Sequence, residues 1–342
     1  MVLAYSNVTA EYEALRRRAI VVDRSHRGRM RFSGDKATEA LDGLLTNAVT
    51  ALAPGQGQYA LALSPKGKMV SDMRVLRLES GFITDASPRS HGGWRDIVKK
   101  YVNPRIATYA DESASTRALG VYGVQARHVV EQMTGIGASA LGIMPPYAHA
   151  PVAQDGVVTL VMRSPDLGIE GFDLFVPADQ FSSLWDAALR ARATPAGHSA
   201  WDIARVEAGR PEWGVDMDDA TIPQEANVDA LEAVSYTKGC YTGQEVVARV
   251  HFRGHVNRTL RGLTLAGALP AAKAALFDAS NKAVGELTST VASPRLGAIA
   301  LGMVRREVDT GATLTARWPS GATGDAAAGE TQATVTALPF AL

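Results

Sequence analysis

The sequence predicts an α+β protein in which two units mixing helices and strands precede a small antiparallel β-barrel or sandwich. Three observations point there. Apolar residues at helical spacing and at strand alternation follow one another in a comparable order twice along the first two thirds of the chain. Past Arg258 the helix-length stripes disappear, and short apolar runs are broken by turns such as Asp278-Ala-Ser-Asn281. The length of 342 residues suits two or three packed units with ample core.

The first unit begins with Tyr12, Leu15 and Ala19 at helical spacing behind Thr9 as a cap, then a strand with Met30 and Phe32 on one face. Asp35 reads as the cap of a second helix carrying Leu41, Leu44 and Leu45. Tyr59, Leu61 and Leu63 alternate as a strand, Ser64-Pro-Lys-Gly67 makes a turn, and Met69 to Leu78 return as the partner strand of a hairpin. Trp94, Ile97, Val98 and Tyr101 repeat helically, and strands follow near 105–109 and 117–122.

The second unit repeats that grammar with a helix over 124–133, strands over 157–162 and 171–176, and a helix striped by Phe181, Leu184, Trp185 and Ala188. Residues 135–155, rich in Gly, Ala and Pro, read as a connection without regular structure. A helix over 199–208 ends at Gly209, a natural left-handed cap. The stretch 320–329 reads as an exposed loop.

Thirty-five Lys and Arg balance 35 Asp and Glu, so no excess of cations points to a nucleic-acid backbone as partner. The start lacks the pattern of a secretory signal, and no apolar run approaches a membrane span; a soluble, cytoplasmic protein is expected, with no membrane partner. The single cysteine, Cys240, forms no internal disulfide and supplies no metal site by itself. No phosphate-binding glycine loop and no nucleophile-elbow motif occurs.

The densest unusual segment is Lys238-Gly-Cys-Tyr-Thr-Gly-Gln-Glu245. Thr242 and Glu245 have the spacing of a capping box, which would start a helix just after Cys240. Cys240 then reads either as a small buried apolar residue or as a thiol whose ionisation is favoured by Lys238 and the positive end of the helix. His251 and His255 invite a metal reading, but 250–256 could as easily be strand or loop as helix, so the two need not share a face, and no third ligand is offered, so no metal is expected. His26 reads as a hydrogen-bonded turn residue. Asp72, on a strand among Val70, Met73 and Val75, is either solvent-facing on the pleat or an acceptor lining a cleft. Arg205, one turn after Trp201, is either packed on that indole or set beside it as an anchor for a flat anionic ligand.

The eight-residue segment resembles the signature of the YgfZ-type folate-binding proteins, relatives of the glycine-cleavage aminomethyltransferase or T-protein. Ser25-His-Arg-Gly28, Gln58-Tyr59, 67–72, Gly171-Phe-Asp173, Arg205-Val-Glu-Ala-Gly209 and Ile222-Pro-Gln-Glu-Ala226 follow the order of that family. The resemblance implies a three-lobed ring: two interlocked ferredoxin-like lobes over 1–257, with the cysteine motif at their end, and a C-terminal antiparallel β-barrel over 258–342, around a channel that holds tetrahydrofolate or a one-carbon derivative. It implies a folate-binding accessory protein, not a classical enzyme, that supports iron–sulfur cluster assembly or repair and through it tRNA modification. Its transient partners would be iron–sulfur enzymes or cluster-assembly proteins. The alternative is a tetrahydrofolate-dependent aminomethyltransferase of the glycine cleavage type.

By matching position, Asp72 is the acid near the reactive edge of folate, Tyr59 a stacking wall, Asp173 a pterin acceptor and Arg205 an anchor. Cys240 is the functional thiol of a motif made of Lys238, Gly239, Cys240, Tyr241, Gly243, Gln244 and Glu245. The chain departs from the transferase pattern in three places: Ser71 precedes Asp72 where paired acids are expected, Asp173 stands for a glutamate, and 166–170 replaces a tyrosine- and glycine-rich loop.

Overall fold

The computed structural model describes residues 1–154, 156–267, 269–270, 273–319 and 328–340. The chain opens with α1 (Val8–Arg17) and β1 (Ile20–Asp23), then leaves the sheet to which β1 belongs. It builds a second sheet from β2 (Gly28–Ser33), β3 (Gly57–Leu63), β4 (Met69–Arg77), β5 (Phe82–Ala86) and β6 (Thr108–Asp111), with α2 (Ala37–Leu44) and α3 (His91–Tyr101) between strands. It returns with β7 (Thr116–Tyr122), α4 (Ala126–Thr134), α5 (Ala138–Ile143), β8 (His149–Gln154), β9 (Val157–Arg163), β10 (Gly171–Pro177), α6 (Phe181–Arg190), β11 (Thr194–Pro195) and α7 (His198–Glu207). The first sheet runs β11-β1-β7-β10-β9-β8 and the second β3-β4-β5-β2-β6, so the whole second lobe is inserted between two neighbouring strands of the first. After α8 (Gln244–Arg253), strands β12 (Arg258–Leu265), β13 (Ala275–Phe277), β14 (Ala283–Ser293), β15 (Gly297–Arg305), β16 (Thr313–Trp318) and β17 (Gly329–Thr336) close a barrel in the order β12-β15-β14-β13-β16-β17.

Each sheet buries one face on helices. Met73 and Val75 of β4 pack with Trp94 and Val98 of α3, while Leu119 and Val121 of β7 pack with Val129 and Val130 of α4. Strand periodicity then commits Asp72 and Arg74 to the opposite face of β4, toward the first sheet. The two sheets therefore meet partly through charge. Arg29 and Arg74 flank Asp85 in register on adjacent strands, and Arg74 reaches across to Asp173 of β10. All four residues are buried.

The polar side of α7 joins this pair of lobes to the barrel. Glu207 accepts hydrogen bonds from Tyr12 Oη of α1 and Ser293 Oγ of β14. Arg205 pairs with Asp216 and donates to Ser289 Oγ, while the hydroxyls of Thr288 and Ser289 donate to Asp216.

Several expectations are corrected here. Residues 135–155 carry a helix and an edge strand, because Leu141 buries against Val130 and β8 pairs with β9 along its length. Asn7, not Thr9, caps α1, and Lys36 rather than Asp35 is at the N-cap of α2, with no side-chain cap hydrogen bond. Gly243, with φ +82°, precedes α8 in place of a Thr242 capping box; a Cβ there would lie 2.5 Å from Ser64 O. Of the readings left open for 250–256, the helix holds at His251, which lies on α8. The expected loop at 320–329 falls outside the described residues as far as 327.

Replacing Asp85 with Ala would leave Arg27, Arg29 and Arg74 facing one another without their shared carboxylate. A loss of about 3–5 kcal/mol is expected. Urea unfolding measures it, and a loss below about 1 kcal/mol would show that water already solvates this layer.

Candidate functional site: a polar cleft between the lobes

The connection from β1 to β2 crosses from one sheet to the other and delivers Arg24, His26 and Arg27 to a cleft between the lobes. β3 and β4 contribute Tyr59, Asp72 and Arg74; the loop after β9 contributes Asp166; α7 and the loop after it contribute His198, Trp201, Arg210, Glu212 and Trp213. The free volume is about 30 Å³, the room of a single water.

A larger cavity of about 510 Å³ lies between Leu78, Ile83, Leu160 and Phe175. Its inward polar groups are spoken for: Arg29 donates to Thr116 and Ser25 O, and the two ring nitrogens of His149 lie at hydrogen-bond distance from Tyr147 O and Arg77 O. The cleft differs in kind. Among the described residues, Arg24 Nε, Trp201 Nε1, Trp213 Nε1, His198 Nδ1, Ser87 Oγ and Asp166 Oδ1 are buried there without hydrogen-bond partners. Buried polar atoms are normally hydrogen-bonded, so six without hydrogen bonds, one of them ion-paired with Arg210, converging on one cleft mark a surface shaped for a polar ligand. Donors and acceptors are both present, as a flat heterocycle with mixed edges requires.

Asp72 lines this cleft, 6% exposed, accepting from Tyr59 Oη at 2.8 Å. Burial and the Asp72 charge raise the pKa of Tyr59, which stays a phenol donor. The Tyr59 ring also lies in the cleft, with the Arg210 guanidinium 4.3 Å above it and Tyr147 nearly parallel at 6.4 Å. Asp173 and Arg205 lie outside the cleft lining. The Asp173 carboxylate accepts from Arg74 and Tyr122 Oη, and Arg205 is held by Asp202 and Asp216. The cation over Trp201 is Arg24, at 4.0 Å, rather than Arg205. Arg205, one turn after Trp201 on α7, does not cover that indole because Asp202, Asp216 and Ser289 Oγ of the barrel hold its guanidinium.

Residues 238–245 form a separate surface. The Lys238 ammonium is turned inward to the carbonyls of Asp42, Leu45 and Asn47 at the end of α2, away from any pairing with the thiol. Burial lowers its pKa, with Asp42 opposing. Tyr241 is buried and Thr242 N donates to Gly43 O, while Cys240 just before them is exposed, which removes the buried-apolar reading. Gly239 is open to substitution without contact, Gln244 begins α8, and Glu245 pairs with Arg249 on its outer face. His251 stacks on Tyr236 at 3.6 Å, and no cluster of metal-ligating side chains occurs among the described residues. No helix is long and apolar enough to cross a membrane among them.

Arg24, Asp166, His198, Arg210 and Trp213 were not singled out from sequence, and Arg27 only as part of Ser25-His-Arg-Gly28. Each sits on an irregular connection or at a helix end, where periodicity carries no signal; only the departure at 166–170 flagged the neighbourhood of Asp166.

Burial and the nearby Arg24 lower the pKa of His198 to about 3, and burial with Arg24 and Arg27 lowers that of His26 to about 2. Both imidazoles are neutral in the fold, whereas the unfolded chain takes up protons below about pH 6.5. Their contribution is intact above that pH and is lost as pH falls toward the folded values. Replacing His198 with Phe should therefore make urea stability less acid-sensitive, by up to about 2 kcal/mol at pH 5 relative to pH 7. An identical pH slope in variant and parent would show that His198 protonates freely.

Residues 2–236 match the GCVT N-terminal domain and residues 258–341 the glycine cleavage T-protein C-terminal barrel domain. The aminomethyltransferase of Thermosynechococcus vestitus is 33% identical over 89% of this chain and 81% of its own length. That of Rubrobacter xylanophilus is 30% identical over 91% and 82%. The crystal structure of glycine cleavage system aminomethyltransferase T from Bartonella henselae superposes with a TM-score of 0.84 at 23% identity, covering 99% of this chain and 91% of that one. With both domains matched in order along the chain, the protein belongs to the glycine cleavage T-protein family.

Proposed function

We propose that the chain binds tetrahydrofolate in the cleft and transfers a one-carbon unit to it, as the names of its aminomethyltransferase relatives suggest. The observation that carries this reading is the convergence of six buried polar atoms without hydrogen bonds, together with the Asp72 carboxylate, in one cleft. A reduced pteridine is flat and carries donors on its amino and ring nitrogens with an acceptor carbonyl beside them. Indole and guanidinium N–H groups match the acceptor, and carboxylates match the donors. Asp72, the cleft carboxylate whose other contacts are hydroxyls rather than arginines, is the group suited to exchange a proton at the reacting nitrogen.

A second reading, an accessory role toward iron–sulfur proteins under the YgfZ subtype, is favoured by one observation. The Lys238 side chain and Tyr241 are buried on either side of an exposed Cys240, so the loop presents the thiol outward. In this reading folate binding remains and the partner meets the Cys240 surface.

Calorimetry with tetrahydrofolate should give saturable binding, with Asp72→Ala weaker by about tenfold, the worth of one charge-assisted hydrogen bond. Absence of binding at several temperatures would dismiss the folate site. With a lipoyl-borne aminomethyl donor, methylene-tetrahydrofolate should form, and Asp72→Asn should lower kcat by about 10²-fold or more. If no product forms with an active donor while folate binds, the accessory reading takes precedence. Cys240→Ala would then fail to restore iron–sulfur enzyme activity in cells lacking the protein, and full restoration would remove the thiol from the mechanism.

A further inference from the structure

The cleft is already filled by a flat, nitrogen-rich group of the chain's own. The Arg210 guanidinium lies 4.3 Å over the Tyr59 ring, with Nη2 3.3 Å from Tyr147 Oη and 3.4 Å from Asp166 Oδ1. The amino-pyrimidine edge of a pteridine contains the same unit, a carbon bearing three nitrogens in one plane. Such a unit presents parallel N–H donors to a carboxylate and a face to an aromatic ring.

We propose that Arg210 is a built-in placeholder for that edge: its guanidinium occupies the pterin subsite formed by Tyr59, Tyr147 and Asp166, and reduced folate binds by displacing it. The inference rests on the folate reading and adds the subsite and the residue that competes for it.

Three observations support it. The free volume of about 30 Å³ cannot take a bicyclic ring, so some wall group must move. Arg210 is held less firmly than Arg27 and Arg74, which are hydrogen-bonded to Asp85: it has one side-chain hydrogen bond, to the Tyr147 hydroxyl, and an ion pair with Asp166 at 3.4 Å. It also follows Gly209, whose φ of +66° gives the chain a glycine pivot at the end of α7. Asp166 is prepared for an exchange of partners. Burial alone would raise its pKa, but Arg210, Arg74, Arg24 and Arg27 outweigh it and keep the carboxyl below its ordinary value. Its Oδ1 has no hydrogen bond. Displacing Arg210 thus releases an ionised acceptor facing the ring of Tyr59.

Calorimetry of the full-length protein with tetrahydrofolate tests this. Arg210→Ala should bind at least about threefold tighter than the parent, because no guanidinium competes, and Asp166→Asn about tenfold weaker. Arg210→Met, which keeps side-chain bulk, guards against loss of folding, with thermal melting as the control. In addition, nitrogen-15 spectra should show faster hydrogen exchange at Arg210 Nε on saturation with tetrahydrofolate, while Arg205 stays protected. Equal or weaker binding by folded Arg210→Ala and Arg210→Met, with the parent binding normally, would overturn the placeholder and leave the folate reading standing. No binding by parent or variants would overturn the folate reading and the placeholder with it. Tighter binding together with Arg210 exchange establishes it.

Discussion

The layer of arginines and aspartates pressed between the two sheets is the constraint on which the arrangement depends. A charge removed from water must be paired or it destabilises the fold by several kcal/mol. Arg29 and Arg74 flank Asp85 on adjacent strands, Arg27 joins them from the crossing connection, and Arg74 also holds Asp173 from the opposite sheet. These pairs set how the lobes face each other. The apolar faces behind them, packed on α2, α3, α4 and α6, provide the burial that holds each sheet together.

The same layer divides the arginines into two groups. Those hydrogen-bonded to carboxylates, Arg27, Arg74 and Arg205, fasten lobe to lobe or lobe to barrel. Arg24 and Arg210 instead lie on aromatic rings and border the cleft, and Arg24 Nε is left without a hydrogen-bond partner. Recognition surfaces are built from groups the fold has left unsatisfied, so the small polar cleft, rather than the roomier apolar cavity, is the functional candidate. The barrel takes part indirectly: Ser289 and Thr288 complete the Asp216 site that fixes Arg205, and with it the end of α7 from which Arg210 projects.

Part of the cleft lining was legible along the chain, but its partnerships were not. Asp72 and Tyr59 lie on strands whose alternation is plain, and both line the cleft. Asp173 and Arg205 occupy equally regular elements, yet Arg74 and Asp216 bind them first. No local pattern announces a partner 99 residues away, as Arg74 is from Asp173. The cysteine segment shows the same limit: Lys238 stands two residues from Cys240 but spends its charge on carbonyls of α2.

What the amino-acid sequence determined alone is the succession of elements, since helical and strand periodicities and turn residues act over a few neighbours: the hairpin at Ser64, the cap at Gly209 and the change of character at Arg258. Tertiary structure decided which charges are spent and which remain. Insertion of one sheet between β1 and β7 brings distant arginines and aspartates to a common buried plane, and there Coulomb attraction in a low dielectric, not sequence proximity, assigns each its partner.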